Sequence, residues 1–222
     1  SKLGEYAVAA VGLTTQPKFI GLAVFIAVNV AVSALVARRR GEEDREGAGR
    51  VLLTALLLVI VLGALVSLLC VIFADPIIRF AGSESDTHDS AVTYFRIIMG
   101  GMMFNIISLV INAAQRGSGN TKIALITNLT SNIVNVCFNF LLIEGRFGFP
   151  KLEMRGAAIA TVIGTVVACA MSIYSLFHKN SFVNMTWIVQ NKLRATKEAF
   201  GQIFHLASSF FIEQILLRIG FM

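Results

Sequence analysis

The sequence has little charge, and what it lacks narrows its class quickly. Only 14% of its 222 residues are Asp, Glu, Lys or Arg, where soluble domains carry about 25%. With 56% apolar residues and a mean hydropathy of +0.75, an ordinary soluble domain is excluded and a polytopic membrane protein expected. The three cysteines, Cys70, Cys137 and Cys169, all lie inside apolar runs. They form no CxxC pair and have no ligand-spaced histidine, so they read as buried thiols rather than a metal or redox site. No apolar run carries paired carboxylates, a Ser/His array or a His cluster, which argues against a membrane enzyme. The net charge is +6, yet no basic patch interleaves with aromatics, so nucleic acid is rejected as a partner. There is no initiator Met and no signal peptide, and the chain stops inside an apolar run. It is expected to be a piece of a longer protein.

What is present is organised around Asn128, Asn132, Asn135 and Asn139, spaced four, three and four residues apart within the apolar run Ile123 to Ile143. On a helix they share a stripe roughly 60° wide. Primary amides are expensive in hydrocarbon, so the stripe must face protein or water. The predicted fold is all-α, a polytopic transmembrane helix bundle.

The other runs should supply the walls. The first, Ala7 to Ala37, carries Pro17 near its start and Ala23, Ala27 and Ala31 at four-residue spacing, a pattern for close helix contact. The connector from Arg38 to Arg50 is charged, with Gly41 as the expected helix stop and an acidic run suited to the next helix start. The second run, Val51 to Ala74, reads as lipid-facing and ends at Asp75-Pro76. His88 in the acidic connector that follows reads as a solvated loop side chain rather than a metal ligand.

The third run, Val92 to Gln115, places Asn105, Ser108, Asn112 and Gln115 on one face, and Gly100-Gly101 loosen its middle. Gln115 to Lys122 lacks a phosphate-loop ending and reads as a tight turn, with Asn120 as a helix cap. The fifth run, Gly156 to Phe177, repeats small residues at Gly156, Ala160, Gly164, Ala168 and Ser172. Thr161 and Thr165 beside that stripe either reach a cavity or bond back to their own backbone. Residues 178–197, with Trp187, form a polar connector expected on the membrane surface. The sixth run, from Phe200, holds Glu213. That residue is a site candidate if it is intramembrane, and a wet side chain if the segment is interfacial.

Connectors 38–50, 116–122 and 178–197 hold eleven Lys/Arg, and the alternating set holds six. The richer set is therefore expected to be cytoplasmic. The sequons at Asn128 and Asn184 are expected to carry no glycan.

Several segments in order resemble the multidrug and toxic compound extrusion (MATE) family. They are Ala9-Ala-Val-Gly-Leu13, Val32-Ser-Ala-Leu-Val-Ala-Arg38 with Gly41 and Glu42-Glu-Asp44, Gln115 to Lys122, Asn132-Ile-Val-Asn135 with Leu141-Leu-Ile143, and Gly156-Ala-Ala-Ile-Ala-Thr161. The resemblance implies twelve spans in two lobes. Residues 1–177 would be the second to sixth spans of the first lobe, 178–199 the connector between lobes, and 200–222 the start of the seventh span. It implies a monomeric antiporter in the plasma membrane, exporting amphipathic or cationic small molecules against Na⁺ or H⁺, with no cofactor and no catalytic residue. It singles out Asn112, Asn132, Asn135, Asn139 and Thr161 as substrate or cation contacts, and Glu213 by its place in the seventh span.

One departure bears on mechanism. Many family members have an aspartate where Asn139 stands, and an amide carries no exchangeable charge at working pH. The family's other carboxylate lies in its first span, which this chain is not expected to contain. A flippase for lipid-linked sugars is the alternative, but such cavities favour Arg or Lys for pyrophosphate, and the in-span polar residues here are mostly neutral.

Overall fold

The computed structural model describes residues 2–83, 85–145, 152–178 and 181–220. The loop 146–151 and the side chains of Thr15, Gln16, Pro17, Gln214 and Arg218 lie outside what is described. The described residues form helices without a strand: α1 (Lys2–Gly41), α2 (Arg45–Ile72), α3 (Ala74–Phe80), α4 (Ser85–Gly100), α5 (Met102–Gly117), α6 (Thr121–Glu144), α7 (Glu153–Leu176), α8 (Met185–Gln190) and α9 (Lys197–Gly220). Four helices among these residues are long and apolar enough to cross a membrane, or five if α4 and α5 count as one bent span. The fold is an all-α polytopic bundle.

Two local expectations change, and the connector after α1 gains detail. The first run extends through Pro17 as one helix of 40 residues. α1 stops at Gly41, as expected, and the left-handed residue that follows is Glu43, at φ 56°. Glu42 N–H reaches Arg38 O at 3.0 Å and Asp44 N–H reaches Arg39 O at 2.8 Å, which closes the helix end. Asp44 then accepts from Gly47 N–H at 2.8 Å and starts α2. Finally, the third run begins earlier than its apolar residues, at Ser85, which brings His88 into a helix.

By internal packing the chain divides into two compact units. The first comprises Ser1–Leu22, Leu62–Asn105 and Asn128–Ala168; the second comprises Ala23–Val61, Ile106–Thr127 and Cys169–Met222. In the first, α4 gives way to α5 at a 43° bend, and the Ser67 hydroxyl donates to Met99 O beside it at 2.6 Å. Glycine there loosens the helix, and a neighbouring hydroxyl meets a carbonyl at the break. Gly101 also admits Val162, whose Cγ2 would lie 2.6 Å from an added Cβ.

His88 is not a solvated loop residue. It is only 16% exposed, with Nδ1 2.7 Å from Ser83 Oγ and Nε2 2.7 Å from Asp75 Oδ1. The hydrogen bond from His88, then the charge of Arg79, holds the Asp75 carboxyl below its usual range.

The second unit buries Phe25, Val28, Val32 and Val36 of α1 and Ile111 and Ala114 of α5. Gly117 lets these helices approach, since a Cβ there would sit 2.4 Å from Ser33 O. Arg116 donates to Asn29 Oδ1 at 3.0 Å. Asn184 caps α8 by accepting from Trp187 N–H at 3.0 Å and donates to His178 O at 2.8 Å, so this sequon amide is buried and engaged.

Candidate functional site

In the first unit, α6 and α7 build a directional chain of amides and a hydroxyl. Gly164 makes it possible, because a Cβ there would lie 3.0 Å from Ser131 O and 3.2 Å from Asn135 Cβ. Gly156 permits the same closeness opposite Leu142 O, at 2.7 Å from an added Cβ. The small-residue stripe thus sets Thr161 within reach of α6.

The Thr161 hydroxyl donates to Ala157 O at 2.9 Å. Its single proton is spent, so toward α6 it can only accept, and Asn135 Nδ2 donates to it at 3.1 Å. That turns Asn135 Oδ1 toward Asn139, whose Nδ2 donates to it at 2.8 Å. The chain therefore begins at Asn139 Oδ1, which is buried and has no donor among the described residues. An orphaned acceptor of this kind suits a water, an N–H donor or a cation. Both readings of Thr161 hold at once, since it bonds to its own backbone and also serves its neighbour. Thr165 only bonds back, to Val162 O at 2.8 Å.

Thr161 also lines a small cleft of about 80 Å³ with Asn105, Thr165, Met99, Met102 and Leu22. Its walls are apolar and its few polar atoms are neutral. Asn105 was visible on the third-run face but was not among the expected contacts; only the bend at Gly100-Gly101 gathers it here.

The remaining candidates are placed differently. Asn128 and Asn132 are exposed on α6, beside exposed Leu129, Ile133 and Val136. Asn112 belongs to the second unit and is 3% exposed. It donates to Ser108 Oγ at 3.2 Å and accepts from Ser172 Oγ at 3.3 Å. Below it, Gln115 donates to Ser175 Oγ at 3.1 Å and accepts from Ser181 Oγ at 3.2 Å. Glu213 is exposed on α9 and makes no ion pair among the described residues.

A family model for MatE matches residues 1–141. The chain belongs to the MATE family. It is 29% identical over 199 residues to a probable multidrug resistance protein NorM of Thermotoga maritima, covering 88% of this chain and 43% of that protein. It is 30% identical over 207 residues to a protein of Shewanella oneidensis named as an FAD transporter, covering 93% and 45%. A crystal structure of a MATE protein in a bent conformation superposes with a TM-score of 0.87 at 28% identity, covering 99% of this chain and 48% of that one. The chain thus spans about half the length of the MATE proteins it matches. Those relatives are membrane transporters, not enzymes.

Proposed function

We propose that the full-length protein is a cation-coupled antiporter of the plasma membrane, exporting amphipathic or cationic small molecules. In this reading residues 1–177 form spans of the first lobe, 178–199 the connector, and 200–222 the start of the second lobe. The observation that carries it is the Asn139–Asn135–Thr161 chain, which leaves one buried acceptor oxygen open. A neutral acceptor can engage ligands without fixing a charge, and Thr161 at the other end of the chain lines the apolar cleft. Asn132, exposed on the same α6 stripe, extends that surface. Asn112 contributes by holding α5 to α7 rather than by touching substrate. Glu213 is assigned a share of the coupling ion, Na⁺ or H⁺, on its chemistry alone, because Asn139 cannot release a proton. The lack of Arg and Lys along the seam weighs against a lipid-sugar pyrophosphate.

The test is transport by the full-length protein in proteoliposomes under an imposed Na⁺ or H⁺ gradient. A fluorescent organic cation tests the proposed cargo, and a flavin dinucleotide serves as the second probe because one relative is named as an FAD transporter. Gradient-driven export of the cation, weakened in Asn135→Ala and Asn139→Leu, supports the reading. Wild-type rates in both variants remove it.

A further inference from the structure

The second unit holds a further cleft whose chemistry the export reading does not use. It has a volume of about 520 Å³, and Arg40, Arg45, Lys122 and the first turn of α6 line it. No lining residue is acidic. The three cations come from two connectors expected on the cytoplasmic side, and the third such connector adds Ser181 and Phe182. α1 ends at this level, and α2 and α6 begin there. A membrane-spanning bundle reaches the lipid headgroups where its spans end.

The charges in this cleft are uncompensated by the protein. Three of the four acidic residues of the same connector are engaged with other arginines, and the fourth, Glu43, does not line the cleft. Glu42 pairs with Arg38 at 2.9 Å and with Arg39 at 3.2 Å, Asp44 pairs with Arg39 at 3.2 Å, and Glu46 pairs with Arg50. Among the described residues, no carboxylate pairs with Arg40, Arg45 or Lys122. Two of the three are nonetheless held in place. Arg45 donates through Nε to Phe182 O at 3.0 Å and through Nη2 to Ser181 O at 3.4 Å, with its guanidinium 4.6 Å from the Trp187 ring centre. Arg40 stacks on the Phe182 ring at 4.4 Å. Arginines fixed by carbonyls and aromatic faces keep donors free for a phosphate, and their planar forks suit its oxygens. The first-turn N–H groups of α6, at Thr121 and Lys122, lack intrahelical acceptors and add to the same field.

We propose that this cleft binds a phosphate group, carried either by an anionic phospholipid of the inner leaflet or by a soluble phosphate. The preorganised Arg40 and Arg45 with Lys122 form the receptor, and binding ties the three connectors together.

The test uses the full-length protein, stripped of lipid in detergent. Its melting temperature is followed while short-chain phosphatidylglycerol, short-chain phosphatidylcholine or inorganic phosphate is titrated. Phosphatidylglycerol is expected to stabilise the wild type, and the Arg40→Gln/Lys122→Gln variant should need about tenfold more of it or worse. An Arg38→Gln/Arg50→Gln variant, with the same charge change on paired arginines outside the cleft, should respond like the wild type. If inorganic phosphate stabilises as well as phosphatidylglycerol, the natural ligand is soluble; if it does not, the ligand is the lipid. Equal stabilisation by phosphatidylcholine, or equal loss in both double variants, overturns the proposal. Should the cleft variant not fold, Lys122→Gln alone tests the same point, since that side chain is exposed. This readout does not involve transport, so it stands or falls separately from the export mechanism.

Discussion

The two units carry the same kinds of polar side chain on the same kinds of helix, and they use them in opposite ways. In the second unit α5 presents Asn112 and Gln115, and α7 with the segment after it answers with Ser172, Ser175 and Ser181. Each of these buried residues has a partner, so the seam is closed. In the first unit α6 presents Asn135 and Asn139, and α7 answers with Thr161 alone among its hydroxyls. Amides outnumber partners there, and one buried oxygen is left over. Paired amides glue helices together, while a surplus amide invites a ligand.

The largest effects should come from the close contacts that bring the partners into register. Gly117→Ala in the second unit and Gly156→Ala in the first each drive a Cβ into a backbone carbonyl, of Ser33 and Leu142 respectively. Each should cost about 3 kcal/mol, seen as a clear drop in melting temperature of the full-length protein. Gly164→Ala, with 3.0 Å to Ser131 O, should cost less and should uncouple Thr161 from Asn135.

The polar seams come next and separate the two units. Gln115→Leu removes two buried hydrogen bonds, to Ser175 and from Ser181, whose hydroxyls keep their bonds to Ser172 O and Val183 O, and should destabilise by about 1–3 kcal/mol. Asn135→Ala, in the half-exposed seam, should cost below about 1 kcal/mol while reducing export. If Gln115→Leu proved harmless and Asn135→Ala unfolded the protein, the contrast between the seams would fail. Asn139→Asp probes the open end from another side. It should change the pH profile of export, because a carboxylate there can be protonated, and an unchanged pH profile would place Asn139 outside the binding surface.

The smallest effect concerns Asp75. Its carboxyl is held low in the folded state by the hydrogen bond from His88, so the associated stability is complete above the unfolded value, near pH 4. It is lost as pH falls through the lowered folded value. In Asp75→Asn the corresponding acid-side fall in melting temperature should disappear, because the variant already lacks that small increment at neutrality.

The helices were legible because their apolar runs are long and their connectors charged. The asparagine stripe was legible because 3.6-residue periodicity places its members on one face. The roles of Asn112 and Asn135 were not separable that way, since both are amides at seam positions. The bend at Gly100-Gly101 was visible as a weak point, but its gathering of Asn105 with Thr161 was not. His88 looked solvated because its partners, Ser83 and Asp75, meet it only when α3 folds back beside α4.

By itself the sequence determined that this chain is a bundle of membrane helices with amides in seams, because hydrophobicity and helical period are local properties. Only the tertiary structure decided which seam is sealed and which is open. A buried polar group is satisfied or left wanting by side chains far away in the chain, and that balance is set by packing.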